Sequence, residues 1–245
     1  MGVVDEAIRK IKALIVSGEV QPGGRLPAEA ELAAQLNVSR SSLREAVRAL
    51  TLIQVLHVRQ GDGTYVTSLE PSVLLEGTAF IMDLLGGGQD LEVWHVRRIL
   101  EPAAAALAAA RIDAEMLERL REDLGRMDLA TSIDELTEAD INFHRTLVEA
   151  AGNRLLASLI GSVSSQSIRV RVWGFIKGED VVEHTKQEHR AIFEGIQSHD
   201  PELASAAVAA HIARSEVWLR RLVEAGQWST PDPADGETDV KALLP

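Results

Sequence analysis

Apolar residues recur at helical spacing from Pro71 to about residue 225, and no alternating strand pattern interrupts them. The breaks between the helical segments are short and contain glycine, asparagine or proline, which end helices. Seven helices are predicted, over residues 71–85, 91–111, 113–129, 133–151, 153–174, 180–198 and 201–225. A chain with this pattern buries its apolar faces by packing helix against helix, so the predicted fold class is mainly α with a C-terminal helical bundle.

The N-terminal quarter has a different pattern, in which three predicted helices precede two short strands. The helices span residues 5–17, 28–36 and about 39–52, and Ser39 is suited to cap the third. Strand-like alternation follows at residues 55–59 and 64–67, on either side of a glycine-rich turn. Helix, turn, helix and β-hairpin in this order predict a winged helix-turn-helix domain over residues 1–68.

The distribution of charge supports a division into two domains. Residues 1–67 hold eight basic and seven acidic residues, whereas residues 68–245 hold 17 basic and 30 acidic ones. We therefore predict a second, all-helical domain over residues 69–228. The segment 229–245 is rich in proline and acid and is predicted to be disordered.

Composition excludes several classes of protein. There is no cysteine, so disulfides and thiolate chemistry are absent. No apolar run approaches the roughly 18 residues that a membrane-spanning helix needs, so no membrane partner is expected. The sequence predicts a soluble, cytoplasmic protein.

The third helix carries arginine at every fourth position, namely Arg40, Arg44 and Arg48. At about 100° per residue these arginines form a stripe beside the apolar stripe of the same helix. The predicted buried residues are Leu43, Val47 and Leu50. An exposed arginine stripe on the second helix of a helix-turn-helix suits base edges and phosphates in a major groove. The alternative is a solvated helix whose arginines pair with Glu45.

Two stretches, GGRLPAEAELAAQLNVSRSSLREAVRAL and VRQGDGTYV, resemble the DNA-binding domain of the GntR family of bacterial transcription regulators. The resemblance implies a set of DNA-contacting residues: Arg40 and Arg44 at bases or phosphates, Ser39, Ser41 and Gly61 in support, and Arg25 at the DNA backbone. Two positions depart from the family pattern. Gln54 replaces the usual glycine after the third helix, and Asp62 stands at the hairpin tip where a basic residue is common.

Histidine and aspartate in the C-terminal region have a spacing that suits a metal site. Asp140 and His144 are four residues apart and share one helix face, while His189 and His211 lie on two later helices. Three imidazoles and one carboxylate suit zinc or a similar first-row ion. The alternative is that each histidine is an ordinary packing or surface residue.

The segments RRILEPAAAALAA, DINFHRTLVEAAGN, EHRAIFEGI and AAHIARS resemble the helical effector domain, called FCD, of the FadR subfamily. The resemblance implies a divalent metal, with zinc first and nickel or manganese as alternatives, bound by Asp140, His144, His189 and His211. It also matches an Arg-x-x-x-Glu pair to Arg97 and Glu101. Arg97 is then a candidate to bind an effector carboxylate; the alternative is an ordinary ion pair one helical turn apart.

The resemblance implies a regulator rather than an enzyme. We expect a homodimeric repressor on a palindromic double-stranded operator, with a small organic acid as effector near the metal. Two alternatives remain at this point. The metal itself is the signal in one, and a helical metal-dependent hydrolase is the other, although no residue near the Asp/His set suggests a general base.

Overall fold

A computed structural model of the chain describes residues 2–71, 90–164 and 181–228. These residues fall into two compact units, one before and one after the segment 72–89. The predicted helix over residues 71–85 lies outside the described residues apart from Pro71, and so does the tail 229–245. The domain limits set from the sequence stay predictions.

The first unit contains three helices followed by one antiparallel hairpin. The elements are α1 (Val3–Val16), α2 (Glu29–Gln35), α3 (Arg40–Leu52), β1 (Leu56–Arg59) and β2 (Gly63–Val66). The hairpin register pairs Leu56 with Val66 and Arg59 with Gly63. The predicted winged helix-turn-helix order is therefore confirmed.

The apolar stripes of the three helices meet in one small core. Ile11 of α1, Leu32 of α2 and Leu43 of α3 are buried there against Leu56 of the hairpin. On α3 the fully buried set differs from the prediction, because Ala46 is buried and Val47 is only half-buried. The core therefore lies on one side of α3, and the opposite side is left exposed.

The end of α3 is closed by a residue in the left-handed region, Gln54, whose φ is +59°. The backbone N–H of Gln54 donates to the Thr51 carbonyl at 3.0 Å, and that of Val55 donates to the Leu50 carbonyl at 2.9 Å. These two bonds form a Schellman motif, which satisfies the last free carbonyls of the helix. Gln54 thus adopts the conformation for which glycine is usual, and the first strand of the hairpin begins two residues later, at Leu56.

Six helices are described in the second unit, and they confirm the helical fold predicted for this region. They are α4 (Asp90–Arg111), α5 (Ala114–Leu129), α6 (Ile133–Ala150), α7 (Arg154–Ser164), α8 (Val181–Gln197) and α9 (Pro201–Glu224). Helix α4 packs along α9 and also contacts α6 and α7, while α5 pairs with α6 and α8 with α9. The shared core contains Phe143 and Leu147 of α6 and Ile192 of α8.

Helices α8 and α9 approach each other closely where Gly195 faces Ala204. A Cβ atom on Gly195 would lie 2.8 Å from the Cα of Ala204, closer than side chains tolerate. Asp200 caps α9 by accepting the backbone N–H groups of Glu202 and Leu203 at 3.0 Å each. The two helices are therefore held together near the turn that connects them. This contact sets how α8 and α9 face each other over the rest of their length.

Within the described ranges, no helix is long and apolar enough to cross a membrane.

Candidate metal centre and nucleic-acid interface

Four polar side chains from three helices of the second unit meet in its interior. Asp140 and His144 come from α6, His189 from α8 and His211 from α9, and all four are buried. One nitrogen or oxygen atom of each lies within 4.8 Å of the others. The structure thus brings together the four residues that the sequence singled out as metal ligands.

The carboxylate of Asp140 lies at the centre of this cluster. Its Oδ1 atom is 3.1 Å from Nε2 of His189 and 3.8 Å from Nε2 of His144. The ring of His211 lies 4.7 Å from that of His189 and 5.3 Å from that of His144, measured between centroids. Phe143 packs edge-on against His189 at 4.8 Å and closes one side of the cluster.

The protonated nitrogen of His189 follows from its hydrogen bond. Its Nδ1 lies 2.8 Å from the carbonyl oxygen of Thr185, one turn earlier on α8. A carbonyl only accepts, so Nδ1 carries the hydrogen. In the neutral imidazole, Nε2 then presents a lone pair to the Asp140 carboxylate.

Each of the other two histidines has a carboxylate beside its Nδ1 atom, as a hydrogen bond at His211 and as an ion-pair contact at His144. Nδ1 of His211 is 2.8 Å from Oε2 of Glu188, and Nδ1 of His144 is 3.1 Å from Oε2 of Glu101. Such contacts fix the tautomer and the orientation of an imidazole, and they are typical neighbours of metal-ligating histidines. All three rings therefore hold Nδ1 outward and leave Nε2 for the cluster.

Burial and neighbouring charges set the protonation of these groups. Burial lowers the pKa of His211, and the neighbouring His189 adds to this effect, so that together they outweigh the hydrogen bond to Glu188 and favour the neutral ring. Burial alone raises the pKa of Glu101, but Arg97 and His144 reverse this and hold it well below its ordinary value. Glu101 is therefore an ionised acceptor.

This arrangement fits a divalent cation. Three imidazoles and one carboxylate oxygen converge, and an imidazole that holds its hydrogen on Nδ1 offers Nε2 as an acceptor. Acceptors that face one another at 3.1 Å repel unless a cation or a hydrogen lies between them. A set of three imidazoles and one carboxylate is a donor set that zinc, nickel and related ions take.

Arg97 is a buried residue, which the sequence alone did not establish. Its side chain is fully buried, its Cζ lies 4.3 Å from the ring centroid of Trp94, and its Nε donates to Oε1 of Glu101 at 2.5 Å. Because the same carboxylate reaches His144, Arg97 is connected to the cluster through Glu101. The ion pair is therefore internal, unlike a solvated pair on a helix surface.

Glu188 is the functional candidate that sequence reasoning missed. Its Oε1 forms an ion pair with Nε of Arg214 at 2.7 Å, while its other oxygen is hydrogen-bonded to His211. Glu188 precedes His189 in sequence but contacts the histidine of the next helix. The spacing of residues along one helix does not predict a contact with a residue of the next helix.

The arginine stripe of α3 lies on the exposed side of the first unit. Arg44 donates from Nε to Oε2 of Glu29 at 2.8 Å, and Arg48 donates to Glu45 at 2.8 Å. Arg40 forms no ion pair with any residue that the structure describes. The arginine stripe therefore does not contribute to the core. The alternative interpretation, a solvated helix whose arginines pair with Glu45, applies only to Arg48 among the three.

The serines at the start of α3 form a small hydroxyl cluster. Ser39 caps the helix by accepting the backbone N–H of Ser42 at 3.1 Å, as predicted. Its hydroxyl is also bonded to the hydroxyls of Ser41 and Ser42, at 2.9 and 2.8 Å. This exposed helix start presents hydroxyl groups and the positive end of the helix dipole, which together suit a phosphate.

Arg25 lies against the hairpin, where glycine makes room for it. Gly63 has φ +144°, and a Cβ atom there would lie 2.7 Å from Nε of Arg25. Gly61, with φ +77°, forms the turn itself. At the tip, Asp62 accepts the hydroxyl of Tyr65 at 2.8 Å, so the acidic residue is held within the hairpin.

A winged helix-turn-helix with an exposed arginine stripe, followed by a helical unit with an internal Asp/His cluster, defines a DNA-binding transcription regulator. Residues 4–66 match the family model described as bacterial regulatory proteins, gntR family, and residues 92–214 match the FCD domain. The chain belongs to the GntR family, and its FCD domain is of the FadR type.

Similar proteins agree with this assignment. The chain is 33% identical over 211 residues to the HTH-type transcriptional regulator LutR of Bacillus subtilis, which covers 83% of this chain and 94% of LutR. It is 30% identical over 228 residues to the galactonate operon transcriptional repressor of Escherichia coli, which covers 90% and 96%. A solved structure, Streptococcus agalactiae GntR, matches with a TM-score of 0.68 at 29% identity and covers 88% of this chain and 99% of that one. These relatives are regulators rather than enzymes, so the hydrolase alternative is set aside.

Proposed function

We propose that the protein is a metabolite-responsive repressor that acts in the cytoplasm. A small organic acid, bound beside a divalent metal in the helical unit, changes its affinity for a double-stranded operator. The observation that carries this proposal is the convergence of four buried side chains that can ligate a metal, Asp140, His144, His189 and His211. A relative whose name describes it as a repressor of a galactonate operon supports both the sense of regulation and the class of effector.

The DNA contacts are proposed for the exposed side of the first unit. Arg40 and Arg44 contact bases or adjacent phosphates, because both project from the free face of α3. The supporting contacts to phosphate and sugar are assigned to Ser39, Ser41, Gly61 and Arg25. A homodimer would present two such helices to a palindromic operator, since two-fold symmetry in the protein matches two-fold symmetry in the site.

Zinc is the proposed metal, with nickel and manganese as alternatives, because imidazole and carboxylate ligands suit all three and availability decides between them. When bound, the metal supplies a Lewis-acidic position for an oxygen of the effector. The protein's own contribution is orientation. Thr185, Glu188 and Glu101 hold the three Nδ1 atoms so that the opposite nitrogens face inward.

The charges around the centre favour an anionic effector. Asp140, Glu101 and Glu188 bring three negative charges, and Arg97 and Arg214 bring two positive ones. A divalent ion changes this net charge from minus one to plus one, and a buried positive site binds a carboxylate. We assign Arg97 to the effector site on this basis and on its contact with Glu101.

The effector acts allosterically only if it binds the DNA-bound and the free forms with different affinity. Coupling of about 1–3 kcal/mol is typical and corresponds to about a 5- to 150-fold change in operator affinity. Helices α6, α8 and α9 carry the ligands, so a change in the centre biases how these three helices pack.

Native purification tests the proposal. The released ion is identified by elemental analysis and any released small molecule by mass spectrometry, and both are then returned to stripped protein. We expect about one divalent ion per chain and an organic acid that changes operator binding. Protein that carries no ion, and takes none up when zinc is added, would contradict the proposal.

A second candidate is that the metal is itself the signal. Four protein side chains are available to the ion, and four is the usual number of ligands in closed, structural zinc sites. In that case, metal alone changes operator affinity, and organic acids add nothing to metal-loaded protein.

A further inference from the structure

We propose that Glu29 is a specificity-determining residue: it orients Arg44 so that this arginine reads a guanine rather than binding phosphate indiscriminately. The inference rests on the proposed role of Arg44 in DNA contact and deepens it. It assigns a positioning role to an acidic residue of α2, the helix that precedes the reading helix.

The contact joins two helices. Glu29 is the first residue of α2, Arg44 is the fifth residue of α3, and Oε2 of the former lies 2.8 Å from Nε of the latter. Both side chains are about half exposed, at 42% and 62%. The pair therefore lies on the solvent-facing side of the first unit, where a duplex would approach.

Arg44 differs in this respect from the other two arginines of the stripe. Arg48 pairs with Glu45 of its own helix, and that side chain moves with the helix. Arg40 makes no ion pair with the residues that the structure describes. Among the three described arginines of the stripe, Arg44 is thus the one whose guanidinium pairs with a residue of another helix.

The geometry of the bond decides which donors remain for DNA. An arginine has five N–H donors in a planar fork, and Glu29 takes the one on Nε. The two terminal nitrogens stay available, and they form the pair that fits O6 and N7 of guanine. A guanidinium that is already oriented loses less rotational freedom on binding, which favours this contact over alternatives.

The carboxylate is ionised under ordinary conditions. Its hydrogen bond to Arg44 is the main reason that the pKa of Glu29 lies below its usual value, and Arg40 adds to the effect. An ionised carboxylate beside a duplex repels phosphates of any sequence. Glu29 therefore weakens binding to random DNA while it supports one base contact, and both effects raise specificity.

These two effects predict opposite signs for a single substitution. If Glu29 acts only as a negative charge, Glu29→Gln tightens binding to every duplex. If it orients Arg44, the same change weakens binding to the operator and leaves binding to random DNA unchanged or tighter. The second pattern is the one that the proposal requires.

The experiment uses the full-length protein and two labelled duplexes, one enriched by the wild-type protein from a randomised library and one of random sequence. Fluorescence anisotropy gives Kd for wild type, Glu29→Gln, Arg44→Ala and the double variant. Glu31→Gln is the matched control, because Glu31 is exposed on the same helix and forms no ion pair with a described residue.

We expect Glu29→Gln to weaken operator binding about 5- to 10-fold, without weakening random binding and without lowering the Tm. The loss should vanish when Arg44 is already alanine. Tighter binding to both duplexes, as expected for Glu31→Gln, would overturn the proposal, and so would an equal loss on both. Unchanged discrimination in Arg44→Ala would instead refute the role of Arg44 itself.

Discussion

Nδ1 of His211 lies 2.8 Å from Oε2 of Glu188, so a carboxylate on α8 holds the imidazole of α9 in one tautomer. Arg214 holds the other oxygen of the same carboxylate at 2.7 Å. A parallel chain runs from Arg97 through Glu101 to His144. Two arginine–glutamate–histidine chains thus end at the same centre, one buried throughout and one that reaches the surface at Arg214.

Replacing Glu188 by glutamine should lower metal affinity about 10- to 100-fold, because the anchor of a ligating histidine loses its charge. The measurement is competition for zinc against a chromophoric chelator. Glu194→Gln is the control, since Glu194 is exposed on the same helix. Equal zinc affinity in both variants would show that Glu188 does not position His211.

Asp140→Asn should have opposite effects on stability with and without metal. An amide can donate to Nε2 of His189 where the carboxylate cannot. Without metal, the free energy of unfolding of the variant should therefore exceed that of wild type by about 1 kcal/mol. With zinc at about 100 times its Kd, the free energy of unfolding of wild type should rise by about 2.7 kcal/mol, whereas that of the variant should not rise.

Chemical unfolding in chelator and in zinc measures both effects. Glu138→Gln, an exposed change on the same helix, should behave as wild type in each condition. A wild type whose free energy of unfolding does not depend on zinc would argue against a metal at this centre.

Arg97→Ala should be strongly destabilising. It leaves the carboxylate of Glu101 ionised and buried without its cation, at a cost of about 3–5 kcal/mol. The neighbouring change Arg98→Ala should cost no more than about 1 kcal/mol, because Arg98 is half exposed and its partner Glu216 also pairs with Arg220.

Urea unfolding of the two arginine variants makes the comparison direct. The double variant Arg97→Met with Glu101→Met should recover most of the lost stability, because it removes both charges. Similar losses in Arg97→Ala and Arg98→Ala would mean that the internal pair is no more important than the surface one.

Gly63→Ala should displace Arg25 and strain the hairpin. The added Cβ meets Nε of Arg25 at 2.7 Å, and φ +144° is unfavourable for alanine, so a cost of about 1–3 kcal/mol is expected. Gly125→Ala is the matched control, since Gly125 lies within α5 and a Cβ there meets nothing within 4 Å. That change should add about 0.5–1 kcal/mol of stability. Weaker operator binding by the Gly63 variant alone would support a DNA-proximal position for Arg25, whereas equal operator affinity in the two variants would exclude it.

Local signals in the sequence predicted several features correctly. Ser39 caps α3 because a hydroxyl before an apolar periodic segment is a strong start signal. Asp140 and His144 were expected on one helix face, and the family resemblance added His189 and His211; the structure brings all four together. Gln54 occupies the left-handed position for which glycine is usual, so that departure from the family pattern is accommodated without loss of the turn.

The features that the sequence did not predict are contacts between distant segments. Glu188 with His211 and Glu29 with Arg44 are 23 and 15 residues apart, beyond the reach of helical periodicity. Burial on α3 is a smaller case, since Ala46 faces the core whereas Val47 is only half-buried. Such details depend on tertiary packing rather than on local preference.

The most direct test of the account is operator affinity as a function of organic acid, measured by anisotropy on metal-loaded wild type, on chelator-treated wild type and on Asp140→Asn. A panel of small hydroxy acids that includes galactonate is tested first, with an unsubstituted acid as reference. We predict that one of these acids changes operator Kd by about 5- to 150-fold in the metal-loaded protein and has no effect in the other two. The same change in operator Kd in all three samples would contradict an effector site at the metal centre.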